Sequence, residues 1–313
     1  MVQMCELTYG IEIETVGQDR RSIAEAIRTV VGGEMRFVGG AYDAWTVTAA
    51  DGRKWSAVRD ASLSSVTSAE IVSPILRYED LQILQDVVRA VRAIGARVDS
   101  STGIHIHIGA APFNTAALVR LAKLVYKQEP LIYKALGIRY AREVRFAKPI
   151  SPEFITKLER ERPATMRDLN QAWYGFRNEH PFHYDQTRYC GVNFHNVWFR
   201  GTVEFRWFES TLHAGKVKAY VQFVLAIALK ALNSKAAGSA KRAFNPACAK
   251  YDFRVWLLRL GMIGDEFKTA RKHLLGLMPG DAAFKGGRPA RPAVVIERAE
   301  AAPTAAPALA EVV

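Results

Sequence analysis

Cysteine is scarce in this chain. Cys5, Cys190 and Cys248 are the whole complement in 313 residues. They lie far apart, are odd in number and never take CxxC spacing, which argues against a disulfide framework or a zinc ribbon. No run of about 18 uninterrupted apolar residues occurs, so no membrane span is expected. The most apolar stretch, 219–232, is interrupted by Gln222 and Lys230 and reads as a buried helix. There is no internal repeat and no glycine-rich phosphate loop. Asp51-Gly52-Arg53 and the scattered glycine pairs match neither the P-loop nor the dinucleotide-binding pattern. The N-terminal Met-Val-Gln-Met-Cys-Glu lacks the basic and apolar regions of a signal peptide, and the expected compartment is the cytoplasm. Acids are outnumbered, 31 Asp and Glu against 43 Lys and Arg, for a formal charge of +12. That excess suits an acidic partner: a nucleotide, nucleic acid, or an acidic peptide or polymer. The basic residues form no single tract, so a solvated basic surface explains the charge equally well.

What is present is enough apolar material, 49% of the residues, for one large domain or two small ones. Residues 5–15 alternate as a strand should. Ile23, Ala26, Ile27, Val30 and Val31 have helical spacing over 19–32, with Gly32-Gly33 as the stop. Short strands are expected near 35–38, 44–49 and 53–58, the last two joined by a hairpin turn at Asp51-Gly52. A further strand covers 70–75, and an amphipathic helix over 79–94 is closed by Gly95. Residues 103–109 form a strand flanked by glycines. Asn114 is a candidate N-cap for a helix through Lys127, with a second piece over 129–136. Short helices follow after Ser151-Pro152 and over 165–173. Two strands, 189–199 and 202–208, then precede helices over 214–233, 252–260 and 264–276. Mixed order with strand pairs close in sequence predicts an α+β class with antiparallel pairing. A single catalytic domain is expected over 1–279, its part from 240 onward helical. The Ala/Pro/Gly-rich stretch 280–313 reads as a disordered tail.

Chemistry gathers in four short segments: Gly10-Ile-Glu-Ile-Glu-Thr15, Glu70-Ile-Val-Ser-Pro74, Gly103-Ile-His-Ile-His-Ile-Gly109 and Gly201-Thr-Val-Glu-Phe-Arg206. In a strand, residues i and i+2 share a face. Glu12 and Glu14 therefore point together, as do His105 and His107, and Glu204 and Arg206, with Ile or Phe between them for the buried face. Each pair alone has an ordinary explanation: a solvated acidic face, two satisfied sheet histidines, a same-face ion pair. Together, in one sheet, they would form a carboxylate- and imidazole-rich wall. Such a wall repels itself unless cations such as Mg²⁺ or Mn²⁺ with a polyphosphate sit in it, because an unpaired buried carboxylate costs several kcal/mol.

The combination resembles the amidoligase family, a branch of the carboxylate–amine ligases related to glutamine synthetase and glutamate–cysteine ligase. The likeness runs in order over roughly 5–232. Tyr9 to Glu14 resembles a first metal-binding strand, and Asp60-Ala-Ser-Leu63 with Glu70 to Pro74 a second motif. Thr102 to Gly109 resembles the histidine strand and Arg145-Phe-Ala-Lys-Pro149 a basic motif. Arg188-Tyr189 with Asn193, then Gly201 to Arg206 and Glu209-Ser-Thr-Leu212, resembles the closing motif.

The resemblance implies a curved, mainly antiparallel sheet whose concave face holds the active site, with helices packed on its back. It also implies ATP, Mg²⁺ or Mn²⁺, and formation of an amide or isopeptide bond through an acyl phosphate. On that footing Glu12, Glu14, Glu70 and Glu204 are the expected carboxylate ligands, with His105 and His107 as imidazole ligands or phosphate contacts. Arg206 would stabilise the transferring phosphoryl group or hold a substrate carboxylate. Lys148 and Arg188 are candidates for phosphate or carboxylate contacts and Asn193 for hydrogen bonding to nucleotide or substrate. Asp60 is a candidate to take a proton from, or hold, the attacking ammonium. The substrates would be small-molecule or peptide carboxylates and amines, acidic ones suiting the basic surface. Two other readings stand beside this one. A phosphotransferase of the same fold would leave its phosphate on nitrogen. A basic nucleic-acid-binding protein would need aromatics interleaved with Lys and Arg, which Trp173, Tyr174, Phe176 and Arg177 supply only weakly.

Overall fold

The first strand, β1 (Tyr9–Val16), runs through the sheet beside its most polar neighbours, and its alternation decides the layering of the molecule. Ile11 and Ile13 are fully buried towards the helices, while Glu12 and Glu14 take the opposite face. The structure is a computed structural model that describes residues 1–287 apart from 64, 66 and 242. After β1 come α1 (Arg20–Val31), β2 (Glu34–Gly39), β3 (Ala44–Thr48), β4 (Lys54–Val58), β5 (Ser68–Val72), α2 (Leu81–Ala93) and β6 (Gly103–Gly109). The middle of the chain is helical: α3 (Thr115–Leu136), α4 (Tyr140–Arg145), α5 (Pro152–Glu161) and α6 (Met166–Tyr174). Then follow β7 (Val192–Asn193), α7 (His195–Phe199), β8 (Thr202–Glu209), α8 (Ala214–Asn233), α9 (Ala249–Arg259) and α10 (Lys268–Leu275).

The eight strands form one sheet in the order β2-β3-β4-β5-β1-β6-β8-β7, and every named pairing is antiparallel. A lone bridge between Lys148 and Cys190 is parallel. This α+β architecture corrects one expectation: the sheet is not curved as the resemblance implied. Curvature has to be built in with repeated bulges or glycine kinks. Among the described residues the ladder has register shifts at two places, Phe37/Gly39 and Ile104/Ile106. Its outermost strands, β2 and β7, are not paired with each other.

The helices cover one face. α1 lies against β3, β4 and β5, α8 against β6, and α3 against β8, while α2 packs on α1 and α8. Local capping agrees with the sequence. Asp19 accepts from Ser22 N at 2.7 Å, and Asn114 accepts from Ala117 N at 2.9 Å. α8 is apolar nearly all round and correspondingly buried, with Val217, Val221, Val224, Leu225 and Ile227 fully inside. Each fully buried aliphatic side chain of this kind contributes roughly 2 kcal/mol.

Two helical details differ from expectation. α3 is one helix through Pro130 rather than two pieces. A proline removes one ladder hydrogen bond, but buried Leu121 and Val125 before it and Ile132, Ala135 and Leu136 after it seat both halves on the core. The strand expected over 189–199 shrinks to the two residues of β7, and α7 follows at once. Among the described residues no helix is long and apolar enough to cross a membrane. Of the tail expected at 280–313, residues 288–313 lie outside the described residues.

Candidate functional site

Strand register assembles the polar wall. In the β1–β5 ladder Glu14 faces Glu70, and in the β1–β6 ladder Glu12 faces His105. In the β6–β8 ladder His107 faces Glu204, and in the β7–β8 ladder Asn193 faces Glu204. Directly opposed side chains have Cβ atoms about 5 Å apart, so adjacent strands suffice to crowd these groups together. The intervening Ile104, Ile106, Ile108, Val203 and Phe205 are all buried on the helix side. A bulge sets the end of the wall: β8 places two residues, Arg206 and Trp207, against the single His105 of β6. The extra residue sends Phe208 to the helix side, where its ring stacks on Tyr220 of α8 at 4.4 Å. Without it, Phe208 would follow Glu204 and Arg206 into the polar face.

Glu204 is the most heavily engaged group. Its Oε1 takes a hydrogen bond from Arg206 at 2.6 Å, and its Oε2 accepts from Asn193 at 2.6 Å and Asn196 at 2.7 Å. Burial would push this carboxyl up, but Arg206, His107 and His105 overcome it and hold the pKa at about 2. Arg206 is itself buried, and its Nε donates to the Phe146 carbonyl at 3.2 Å. Glu12 sits between the two histidines, with Oε2 3.1 Å from His105 Nδ1 and Oε1 3.5 Å from His107 Nε2. Burial opposes its charge, yet His107 and His105 keep its carboxyl well below the usual range. Burial, with Arg206 nearby, drops His105 to about 4. For His107 the order reverses: burial is outweighed by Glu12 and Glu204, and its pKa rises.

The other end of the wall is acidic without an equal counterweight. Burial, then Asp60, lifts Glu14 to about 7. Burial followed by Glu12, Asp60 and Glu14 raises Glu70 well above the usual range. Glu14 Oε2 accepts from Gly103 N at 2.6 Å. A Cβ at Gly103 would meet the Arg142 guanidinium, so that side chain would have to shift to admit any larger residue.

Three overlapping donor sets result, each with ligand atoms within 4.8 Å of one another: Glu12, His107 and Glu204; Glu12, Glu70 and His105; Glu14, Asp60 and Glu70. The sets fit a divalent cation. Their donors are mostly carboxylate oxygens, which suit hard ions. His107 Nε2 is buried with no hydrogen-bond partner among the described residues, while its Nδ1 is fixed by Thr202 Oγ1 at 3.1 Å. A ring nitrogen pinned on one side and open towards carboxylates on the other is how an imidazole ligand is oriented.

These groups line a cavity of about 390 Å³. Of the residues singled out from sequence, Glu12, Glu14, Asp60, Glu70, His105, His107, Arg188, Glu204 and Arg206 all reach it. Asn193 does not; it is fully buried behind Glu204. Lys148 is exposed and outside the lining, and its backbone only ties the segment to Tyr189 and Gly191. Sequence reasoning missed Asn196, whose partner Glu204 is eight residues away on another element. It also missed Arg142, whose Nε donates to the Arg206 carbonyl at 3.3 Å, and Arg200, 3.5 Å from Glu12. In the sequence Arg142 stands among Arg139, Arg145 and Lys148, and nothing in their spacing marks one of them as buried.

The order of these strands, the acidic and histidine wall and its cavity all fall within residues 5–228. That stretch matches the model of the family described as "Putative amidoligase enzyme". A search of curated proteins found no match. The family match covers most of the chain, and the protein therefore belongs to the amidoligase family as an amidoligase-type enzyme.

Proposed function

We propose that the protein is an ATP-dependent carboxylate–amine ligase that forms an amide or isopeptide bond through an acyl phosphate. The observation that carries this reading is the set of three overlapping carboxylate- and imidazole-containing donor clusters along one cavity wall. Phosphoryl transfer asks mainly for charge neutralisation and alignment, and a wall of this kind is suited to cations that bridge to phosphates. Glu12, Glu14, Asp60, Glu70, His105, His107 and Glu204 would hold Mg²⁺ or Mn²⁺. When bound, these ions supply charge neutralisation for the triphosphate and the developing transition state.

In the first step an oxygen of the substrate carboxylate bonds to the γ-phosphorus, the bridging P–O bond breaks, and ADP departs. In the second, an amine nitrogen bonds to the acyl carbon and inorganic phosphate departs. Arg206 is fixed by Glu204 and by the Phe146 carbonyl, so its guanidinium is positioned before any anion arrives. Arg188 lies over the Tyr184 and Tyr189 rings at 5.8 and 5.7 Å and adds a held positive charge to the cavity lining. Asn193 and Asn196 keep Glu204 ionised and aimed. The net charge of +12 favours an acidic substrate.

The reading is tested by incubating the protein with ATP, Mg²⁺ and a pool of amino acids and small acidic peptides, with and without hydroxylamine. ATP-dependent hydroxamate is the expected product. Phosphate transferred to a stable N-phosphate, with no hydroxamate, would favour a phosphotransferase instead.

A further inference from the structure

The amine that completes the bond enters as an ammonium ion at neutral pH, so something in the cavity has to take its proton. The titratable lining groups are mostly committed. Glu12, Glu70, His105, His107 and Glu204 form the first two donor sets. Asp60, the residue expected from sequence to accept this proton, lies within 4.8 Å of donor atoms of Glu14 and Glu70 and belongs to the third. The arginines cannot accept a proton, and the tyrosines are proton donors at this pH. One group remains, His183.

His183 is held unusually well for a residue in a connecting segment. Its ring stacks on Phe199 at 5.6 Å with 12° between planes, and lies against Tyr184 at 4.5 Å. Phe199 in turn stacks on buried His195, whose Nδ1 is 2.7 Å from Tyr174 Oη. The His183 carbonyl accepts from Arg188 Nη1 at 2.8 Å. Ring and backbone are thus fixed, while neither ring nitrogen has a hydrogen-bond partner among the described residues. A positioned imidazole with free nitrogens in a cavity wall is the arrangement a general base needs.

We propose that His183 is the base that deprotonates the attacking amine in the second step, an assignment that rests on the ligase reading above. The imidazole lone pair takes one proton from the ammonium, and the amine nitrogen so freed bonds to the acyl carbon. The C–O bond to the phosphoryl group breaks, phosphate leaves with that electron pair and takes up the second N–H proton, and the imidazolium later returns its proton to water. Burial, with Arg188 and Arg200 beside it, holds the imidazole below its ordinary value against the opposing pull of Glu12 and Glu204. It is therefore neutral, and able to accept, at neutral pH.

Two nucleophiles of similar size separate this role from the ligase reading. Hydroxylamine is unprotonated at neutral pH and needs no base; ammonium does. Wild-type and His183→Gln proteins are compared on ATP, Mg²⁺ and the pooled carboxylates, with hydroxylamine in one arm and ammonium chloride in the other. The assignment predicts that the variant keeps hydroxamate formation within a few-fold. Its amide formation should fall by about 10²-fold or more and recover as pH rises towards the ammonium pKa. Equal loss in both arms, or no loss in either, overturns it. So does a wild type that forms hydroxamate but no amide from ammonium or any pooled amine. Absence of hydroxamate from the wild type would count against the ligase reading itself.

Discussion

His107 and Glu204 face each other as direct partners across the β6–β8 ladder, with Nε2 3.8 Å from Oε1. Thr202 engages His107 Nδ1, and Asn193 and Asn196 engage Glu204 Oε2. His107 Nε2 is also 3.5 Å from Glu12 Oε1, while Glu204 Oε1 is held by Arg206 at 2.6 Å. Without a cation this pocket is eased by a proton, and Glu12 and Glu204 keep His107 charged more readily than a free histidine.

A cation and that proton compete. Metal binding should therefore release protons at neutral pH, from His107 and from Glu14, whose pKa is about 7. Calorimetric titration of Mn²⁺ in buffers of different ionisation enthalpy measures this. Affinity is expected to rise as pH increases through neutrality, and a pH-independent affinity with no proton release would contradict the donor sets.

Glu14 gives the metal-free protein a definite pH slope. Its folded pKa of about 7 lies above the ordinary 4.5, so the folded state binds the proton more tightly. Its contribution is favourable only while it is protonated, and stability is lost as pH rises from 4.5 to about 7. The loss is about 3 kcal/mol. Urea midpoints in EDTA should show the wild type losing stability across this window relative to Glu14→Gln.

Glu204 and Glu70 are both wall carboxylates, but removing their charges should have opposite effects on stability. Glu204→Gln leaves buried Arg206 without its countercharge and is expected to cost about 3–5 kcal/mol, as well as abolishing turnover. Glu70→Gln removes a carboxyl disfavoured by burial and then by Glu12, Asp60 and Glu14, and should raise the metal-free urea midpoint while lowering Mn²⁺ affinity. Chemical denaturation of the two variants in EDTA checks the signs.

Asn196→Ala removes a 2.7 Å hydrogen bond to an ionised, buried carboxylate. A loss of about 1.5–3 kcal/mol is expected. Turnover should fall with it, since Glu204 is then aimed by Asn193 and Arg206 alone. A variant with unchanged midpoint and rate would remove Asn196 from the site.

Period-two spacing made the site legible wherever strands were regular. Glu12 with Glu14, His105 with His107, and Glu204 with Arg206 do share a face, because every pair sits on a strand whose intervening residue, Ile13, Ile106 or Phe205, is fully buried in the apolar core. What spacing could not supply was contact between elements. Asn196 lies on a short helix where a strand was expected, and Arg142 and Arg200 reach the wall from separate segments. Lys148 looked equivalent to its basic neighbours in sequence but ends exposed and outside the cavity. Curvature was inferred from likeness alone and failed, since nothing in the strands repeats the bulges it requires.

The central claim is that ATP activates a carboxylate at this wall, and oxygen transfer reads it most directly. The protein is given ATP, Mg²⁺ and pooled amino acids and acidic peptides whose carboxylates carry heavy oxygen, and the released phosphate is weighed by mass spectrometry. Attack of the carboxylate on the γ-phosphorus predicts phosphate carrying one heavy oxygen, formed in step with the amide and absent in Glu204→Gln. Amide formed together with unlabelled phosphate would contradict the account.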